Sequence, residues 1–266
     1  MHTEGKMIVF LEGLLWALRF LIGASVFSFI NVVIYRLPEG ESLARGRSHC
    51  RSCGHVLSAG ELIPCVSYLL LRGRCKACGG RIAARYFWIE CAGGAAFCCC
   101  TAAFTYSPVS LISARGLLVF AYLAVLTAAA GIDRDTQIIY DCFQWMILAL
   151  GIGAALLFPE VGLLQRGIGA AVISVPMLLL ALLIPGAFGG GDIKLAAVSG
   201  WFLGAKAVAA GTFLAFLLGG GYAALMLAQK RLGRKDRFAF GPFLAAGYAA
   251  AAFAGERIAD WYIGLL

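Results

Sequence analysis

The sequence predicts an all-α integral membrane protein with about eight transmembrane helices and a small cytoplasmic zinc-binding domain between helices 1 and 2. Three observations support this fold class. Hydrophobic residues make up 61% of the 266 residues and charged residues only 14%, long apolar runs recur from end to end, and two CxxC pairs share one hydrophilic segment. An ordinary soluble domain has about 25% charged residues. One soluble core could not bury this much apolar surface, because a folded domain needs polar residues for its exterior.

Eight apolar runs account for the predicted helices. A run of about 18 or more apolar residues can cross roughly 30 Å of hydrocarbon. The first run is longer than the apolar region of a signal peptide and is therefore predicted to be a span. The sixth run is the weakest, because only 11 residues separate Lys194 from Lys206. Strands are disfavoured, since the runs are rich in Ala, Leu and Gly and do not alternate. The runs cover residues 7–35, 87–107, 116–132, 142–158, 167–188, 192–205, 207–229 and 238–258.

Basic residues are concentrated in two hydrophilic segments, which predicts the orientation of the chain. Segment 36–86 carries nine basic and three acidic residues, and segment 230–237 carries five basic residues. The positive-inside rule places both in the cytoplasm and both termini outside it. The outside turns near Arg115, Arg166 and Lys206 carry one basic residue each. Orientation therefore explains the net charge of +8, and nucleic-acid binding is not needed. The predicted domains are a first helix (1–35), a cytoplasmic zinc-binding loop (36–86) and a seven-helix membrane core (87–266).

Four cysteines form two CxxC pairs at a spacing typical of zinc sites. Cys50 and Cys53 are followed, after 21 residues, by Cys75 and Cys78. Four thiolates suit tetrahedral Zn²⁺, and the glycine directly after each pair would allow a tight turn. A segment of about fifty residues has little core of its own, so a metal would stabilise its fold. With all four positions filled by protein, the predicted zinc is structural. There are two alternatives: one pair could have a redox role, or a neighbouring histidine could replace one of the four thiolates.

Two acidic motifs fall at predicted cytoplasmic ends of spans. Asp192 follows three glycines, and consecutive glycines allow unusual backbone angles and the close approach of a ligand. Asp133 begins the acidic stretch 133–141 after the third run, and these acids could also simply mark the end of a span. A carboxylate at a membrane face is costly unless it has a partner or a function. Lys194, two residues after Asp192, could be a counter-ion.

Counting spans places Asp133 and Asp192 on the same membrane face. Two neighbouring carboxyls cannot both ionise at low cost, so one of them keeps a proton. One Asp could then act as a base on a water while the other polarises a peptide carbonyl. This arrangement predicts peptide hydrolysis without a metal or a nucleophilic side chain. The predicted supporting or substrate-contacting residues are Gly189, Gly190, Gly191, Lys194 and Asp141.

Short motifs occur in a fixed order from the first helix to the last. They are SFINVVIYRLP at 28–38, the two CxxC pairs with LIP at 62–64 and SYL at 67–69 between them, RY at 85–86, the acidic stretch at 133–141, GGGDIK at 189–194 and FGPF at 240–243. This set resembles the type IV prepilin peptidases, the leader peptidase/N-methyltransferases, over almost the whole chain. Two positions depart from the family, because Arg51 and Tyr140 stand where it often has proline.

The resemblance implies a GxGD-type aspartyl protease of the bacterial inner membrane, with Asp133 and Asp192 as its catalytic pair. It implies that the short basic leader is removed from prepilins or pseudopilins at the cytoplasmic face, which would connect the chain to type IV pili or type II secretion. Members with the cysteine loop usually also methylate the new N-terminus with S-adenosylmethionine.

The sequence leaves the methyl-donor site and two other functions open. No Gly-rich cofactor motif is visible, so the cytoplasmic loop with the adjoining residues 31–36 is only the expected region for methyl transfer. One alternative is a GxGD membrane protease without methyl transfer. Another is an ion-coupled transporter using the membrane-face charges, which the zinc loop and the lack of paired internal repeats disfavour.

Overall fold

A computed structural model of the chain describes residues 2–107, 110–184, 186–230 and 238–265. Within these ranges the structure is helical, with two isolated antiparallel bridges and no sheet. The chain folds as two compact units, residues 1–120 and 121–266, and α4 runs from the first into the second. The helices are α1 (His2–Arg36), α2 (Val66–Leu70), α3 (Ala84–Phe104), α4 (Ala114–Thr136), α5 (Asp141–Leu157), α6 (Leu163–Val172), α7 (Ser174–Leu183), α8 (Gly190–Leu203), α9 (Ala205–Ala228) and α10 (Gly241–Ile263).

Each of the eight predicted spans corresponds to helix, which confirms the predicted fold class. The sixth span is short, as its sequence suggested: α8 has 14 residues, and a helix of that length rises only about 21 Å. In the described part of the chain, five stretches are long and apolar enough to cross a membrane. These are Val9–Arg36, Ala84–Phe104, Ala114–Thr136, Leu163–Leu183 and Ala205–Ala228.

The fifth predicted span is divided into two helices. α6 ends at Val172 and α7 begins at Ser174. Pro176 is the third residue of α7, and a proline has no N–H to donate to the preceding turn. The carbonyl that this N–H would reach is that of Val172, the last residue of α6, and the hydroxyl of Ser174 donates to the neighbouring carbonyl of Ala170. The break therefore lies where the helical hydrogen-bond ladder loses a donor.

In the first unit, glycines bring α1 and α3 into close contact. A Cβ atom added to Gly23 would lie 2.3 Å from the carbonyl oxygen of Gly93, and one added to Gly93 would lie 2.3 Å from the ring of Phe27. Small residues at such crossings let helix backbones approach closely, which is how many membrane helices associate.

In the second unit, α8 packs against α5, α6, α7, α9 and α10. Its crossing with α6 is as close as the one in the first unit, because a Cβ atom on Gly169 would lie 2.4 Å from the carbonyl oxygen of Gly200. A Cβ atom added to Gly247 of α10 would likewise lie too close to the carbonyl oxygen of Gly211 of α9. The helix that carries Asp192 is therefore surrounded by other helices of its own unit.

Arg166 is completely buried, although the sequence assigned it to an outside turn. It lies near the start of α6, and its guanidinium donates to carbonyl oxygens at the ends of two other helices. A buried guanidinium needs acceptors for its five N–H donors, and the last carbonyls of a helix have no partner within that helix. Arg166 thus joins the C-terminal ends of α5 and α8. The acceptors are Ala154, Phe158, Val161, Trp201 and Phe202.

Candidate active site and metal centre

Each CxxC pair in the first unit closes a tight turn. The N–H of Gly54 donates to the carbonyl of Cys50 at 2.8 Å, and the N–H of Gly79 donates to that of Cys75 at 2.9 Å. The two glycines have φ angles of +73° and +68°, a conformation that costs glycine little and other residues more. The predicted glycine turns are confirmed.

The two turns repeat the same hydrogen-bond pattern. The N–H of Cys50 donates to the carbonyl of His55, and the N–H of Cys75 donates to the carbonyl of Gly80, both at 2.8 Å. The flanking antiparallel bridges join His49 to Val56 and Arg74 to Arg81. Two equivalent turns therefore present two sulfurs each.

The four sulfurs fit a metal ion. The Sγ atoms of Cys50, Cys53, Cys75 and Cys78 all lie within 4.8 Å of one another, and those of Cys50 and Cys78 are 3.9 Å apart. Thiolates around a tetrahedral zinc, with Zn–S bonds of about 2.3 Å, would be about 3.8 Å apart. Backbone N–H groups of Ser52 and Cys53 lower the pKa of Cys50 to about 6, which favours the thiolate that a metal needs.

Asp133 is a buried carboxylate in the last turn of α4, with 5% of its surface exposed. The N–H of Gly241, the first residue of α10, donates to its Oδ2 at 3.0 Å. The first N–H groups of a helix have no intrahelical partner and carry a partial positive charge. The N-terminus of α10 therefore stabilises the negative form of this carboxyl.

Asp192 lies in the first turn of α8, beside the N-cap residue, and one of its oxygens is free. Its Oδ2 lies close to the N-cap residue Gly189, where an added Cβ atom would be 3.1 Å from it. Its Oδ1 is buried and accepts no hydrogen bond from any described residue. The side chain of Ile139 neighbours both aspartates, because Cβ atoms added to Gly191 and to Gly241 would lie 3.0 and 3.2 Å from it. Each carboxyl thus lies at the N-terminus of a helix beside Ile139, and one oxygen of Asp192 remains available there.

Two of the three glycines before Asp192, Gly189 and Gly191, act through their small size. None of them has a positive φ, so the expectation of unusual backbone angles is wrong: Gly189 is an extended N-cap, and α8 already begins at Gly190. A Cβ atom on Gly189 would lie 3.1 Å from Asp192 Oδ2, and one on Gly191 would lie 3.0 Å from Ile139. A Cβ atom on Gly190 would meet nothing within 4 Å.

Comparison with known proteins agrees with the two-unit organisation. The family model described as Bacterial Peptidase A24 N-terminal domain matches residues 21–104, and the one described as Type IV leader peptidase family matches residues 120–224. A protein of Bacillus subtilis named prepilin leader peptidase/N-methyltransferase is 32% identical over 93% of this chain and 97% of its own length. The chain belongs to the type IV leader peptidase family. The two matched regions fall in the two structural units.

Other relatives with the same printed name are similarly close to this family member. One from Burkholderia pseudomallei is 33% identical over 91% of this chain and 86% of its own length. One from Aeromonas salmonicida is 30% identical over 96% of this chain and 97% of its own length. No solved structure gives a significant match.

Two side chains near the aspartates of this leader peptidase family member were not predicted from the sequence. Ile139 is buried and contacts Gly191, and a Cβ atom on Gly241 would lie 3.2 Å from it. Gln144 of α5 donates from Nε2 to the carbonyl of Gly191 at 3.2 Å. A lone glutamine within an apolar run is a signal that could have identified Gln144, whereas Ile139 resembles any other apolar residue.

Lys194 and Asp141 form an ion pair at the edge of this site. Lys194 Nζ lies 2.7 Å from Asp141 Oδ1, and more than half of each side chain is exposed. The pair joins the fifth residue of α8 to the first residue of α5. Lys194 therefore pairs with Asp141, whereas the sequence suggested it as a counter-ion for Asp192.

Proposed function

We propose that this chain is a prepilin leader peptidase and N-methyltransferase that uses Asp133 and Asp192 as its catalytic pair. Membership of the type IV leader peptidase family and the names of its relatives support this reaction class. The observation that carries the residue assignment is the placement of both carboxyls at helix N-termini beside Ile139, with Asp192 Oδ1 buried and without a donor among the described residues. The substrates are prepilins or pseudopilins, and the bond cut is the one that follows their short basic leader.

The chemistry requires only the two carboxyl groups and a water. The ionised carboxyl removes a proton from the water, whose oxygen bonds to the peptide carbonyl carbon while the protonated carboxyl donates to the carbonyl oxygen. When the C–N bond breaks, the nitrogen takes a proton and leaves as the amine of the new N-terminus. The backbone N–H of Gly241 holds the carboxyl of Asp133 in place, and the first turn of α8 positions the carboxyl of Asp192.

The second reaction transfers a methyl group to that amine. S-adenosylmethionine supplies the methyl group when bound: the amine nitrogen forms the new N–C bond, the sulfur–methyl bond breaks and a proton is released. The relatives' printed names include this activity. Zinc is the metal that the four-cysteine cluster suits best, since Zn²⁺ prefers tetrahedral thiolate sites. Its role is to hold the loop between α1 and α3 in shape.

The protein acts as a multi-pass protein of the bacterial inner membrane, with the bilayer as its solvent. The zinc loop and the two aspartates lie on the cytoplasmic side, and both termini lie outside the cytoplasm. The five membrane-capable helices and the basic residues of segment 36–86 support this orientation.

The purified protein, incubated with a prepilin peptide and S-adenosylmethionine, tests both reactions in one mass spectrum. Leader loss reports peptidase activity, and a gain of one methyl group on the mature peptide reports methyl transfer. Asn at position 133 or 192 keeps the side-chain size but removes the acid–base function, so cleavage should fall by about 10²–10⁴-fold.

The matched control is Asp135→Asn, which changes an exposed carboxyl two residues from Asp133 and should cost much less. Helix content and bound metal should be unchanged in all three variants. Near-normal cleavage by either Asp133→Asn or Asp192→Asn would refute the assigned catalytic pair.

A further inference from the structure

Gln144 is a buried amide side chain in an apolar helix. It is the fourth residue of α5, within the run 142–158 that the sequence predicted to span the membrane, and only 5% of its surface is exposed. A polar side chain in such a position is costly unless it has hydrogen-bond partners or a function. The two-carboxyl chemistry uses no atom of Gln144, so its burial calls for a separate explanation.

One end of this amide is paired and the other end is not. Its Nε2 donates to the carbonyl of Gly191 at 3.2 Å, and only the nitrogen of a glutamine amide can donate to a carbonyl. The free end is therefore Oε1, which is buried without a hydrogen-bond donor among the residues that the structure describes. Leaving a buried acceptor unpaired is costly, and a bound donor would remove that cost.

The contact with Gly191 places the free oxygen close to the proposed catalytic pair. Gly191 directly precedes Asp192, whose Oδ1 is also buried and has no donor in the described part of the chain. The hydrogen bond from Gln144 thus joins α5 to the turn of α8 that carries a catalytic carboxyl. Two buried acceptors without donors lie in or beside that turn.

The unpaired donors of the same unit lie too far away to reach these acceptors. Among its described residues, Tyr122, Ser199 and Trp201 have buried side-chain atoms that could donate but have no partner. Ser199 and Trp201 lie eight and ten residues beyond Gly191 on α8, about 12–15 Å along the helix axis. Tyr122 is at the same depth, since its ring stacks on Phe202 with centroids 4.1 Å apart. The donor is therefore expected from a bound molecule.

A peptide substrate brings donors of this kind. The bond to be cut must be accessible to both carboxyls, so the chain around it cannot be part of a helix, and its backbone N–H groups lose their helical acceptors. In a buried site, bulk water does not replace those acceptors. The substrate then has donors without acceptors at the place where the enzyme has acceptors without donors.

We propose that Gln144 Oε1 accepts a hydrogen bond from a backbone N–H of the substrate next to the bond that is cut. Gln144 is then a substrate-positioning residue: Nε2 holds the amide on Gly191, and Oε1 holds the extended substrate beside Asp192. Because the contact is to the backbone, it aligns the substrate whatever side chains flank the cut. The inference rests on the proposed peptidase function and adds a residue that holds the substrate for it.

An amide that only joins α5 to α8 is the competing explanation, since glutamine side chains often form hydrogen bonds between membrane helices. That role uses Nε2 alone. Its loss would lower stability but would not depend on which N–H of the substrate is removed. The two explanations therefore differ in the coupling between residue 144 and one backbone N–H of the substrate, which a double-mutant cycle measures.

A backbone ester scan of a prepilin peptide measures this coupling with the full-length protein in detergent. Each ester replaces one N–H near the cut with an oxygen that cannot donate, and the amide that is cut stays unchanged. Every peptide is tested with the unchanged protein and with Gln144→Leu, which lacks both polar atoms. Gln165→Leu makes the same change at an exposed position of α6 and should depend on the esters as the unchanged protein does.

One ester should lower kcat/KM of the unchanged protein by about tenfold, the effect of leaving a buried acceptor unpaired. In Gln144→Leu the same ester should change kcat/KM by less than about twofold, because its partner is already gone. Equal ester losses in the two proteins at every position would overturn the contact and leave the catalytic pair untouched. So would a scan in which no ester costs the unchanged protein more than about twofold.

Gln144→Glu keeps the contact testable if Gln144→Leu loses helix content. A protonated Glu has one O–H donor and one carbonyl acceptor, as the amide does, whereas an ionised Glu has no donor for Gly191. Its kcat/KM relative to the unchanged protein should therefore be highest at acid pH and fall as pH rises, with the same ester costly at acid pH. A different costly ester, or none, would contradict the contact. If the unchanged protein does not cut the all-amide peptide, the proposed peptidase function fails, and this contact fails with it.

Discussion

The cysteine cluster and the aspartate site are built in opposite ways. The cluster lies within residues 50–78, where one type of turn occurs twice and each turn is closed by its own glycine. The aspartate site draws on the end of α4, residue 139, the start of α8 and the start of α10. A local site can be identified from spacing alone, whereas an assembled site depends on helices far apart in the sequence.

The two sites also differ in what stabilises them. The sulfurs are held by turn hydrogen bonds and, on our proposal, by the metal that they bind. The carboxyls are held by helix N-termini and by glycines that leave room beside them. Substitutions should therefore damage the first site through loss of metal and the second through displacement of atoms.

The largest expected effect is on the local site. Cys75→Ser removes a buried ligand, so the cluster should lose its metal and the loop between α1 and α3 should become sensitive to protease, because metal binding and folding are coupled. Metal analysis of chelator-free protein, with limited proteolysis, measures both. Cys99→Ser, at an exposed cysteine outside the cluster, is the control. One zinc per chain in the Cys75 variant would contradict the assignment.

At the assembled site, one added methyl group should be enough to disrupt catalysis. A Cβ atom on Gly241 would lie 2.6 Å from Asp133 Oδ2, so Gly241→Ala must displace that carboxyl. Cleavage should fall by about 10²-fold, the cost of misplacing a catalytic group by about 1 Å. Gly190→Ala makes the same chemical change where nothing lies within 4 Å, and it should cleave at a near-normal rate. Equal rates in the two variants would show that Asp133 does not need its present position.

A smaller effect is expected from Arg166, which supports the assembled site from a distance. Arg166→Leu leaves buried carbonyls at the ends of α5 and α8 unpaired, at about 1–3 kcal/mol for each group that finds no other donor. Thermal unfolding in detergent should show a lower Tm, with metal content unchanged. Arg257→Leu, at an exposed position of α10, serves for comparison, and equal Tm values would show that the buried guanidinium is not needed for stability.

The smallest effect should come from Lys194. Its ion pair with Asp141 is more than half exposed, and such pairs contribute only about 0–1 kcal/mol. Lys194→Met should change cleavage by less than about fivefold at low salt and less still at high salt, where exposed charges are screened. A loss as large as that expected of Asp192→Asn would mean that the lysine takes part in the chemistry.

The sequence by itself determined the helical architecture with its membrane-capable spans and the four-cysteine cluster, and it predicted that Asp133 and Asp192 lie on the same membrane face. Hydrophobic runs indicate spans because each crossing of the bilayer needs an apolar helix of about the same length. The CxxC pairs report a metal site because each pair makes its own turn.

Only the tertiary structure decided which atoms hold the two carboxyls. Each of the contacts concerned joins residues of different elements. The N–H of Gly241 donates to Asp133, Ile139 lies beside Gly191, and Arg166 donates to carbonyls at the ends of two helices. Such contacts depend on how closely helices cross, and that distance is set by packing against several neighbours at once. No short stretch of sequence contains that information.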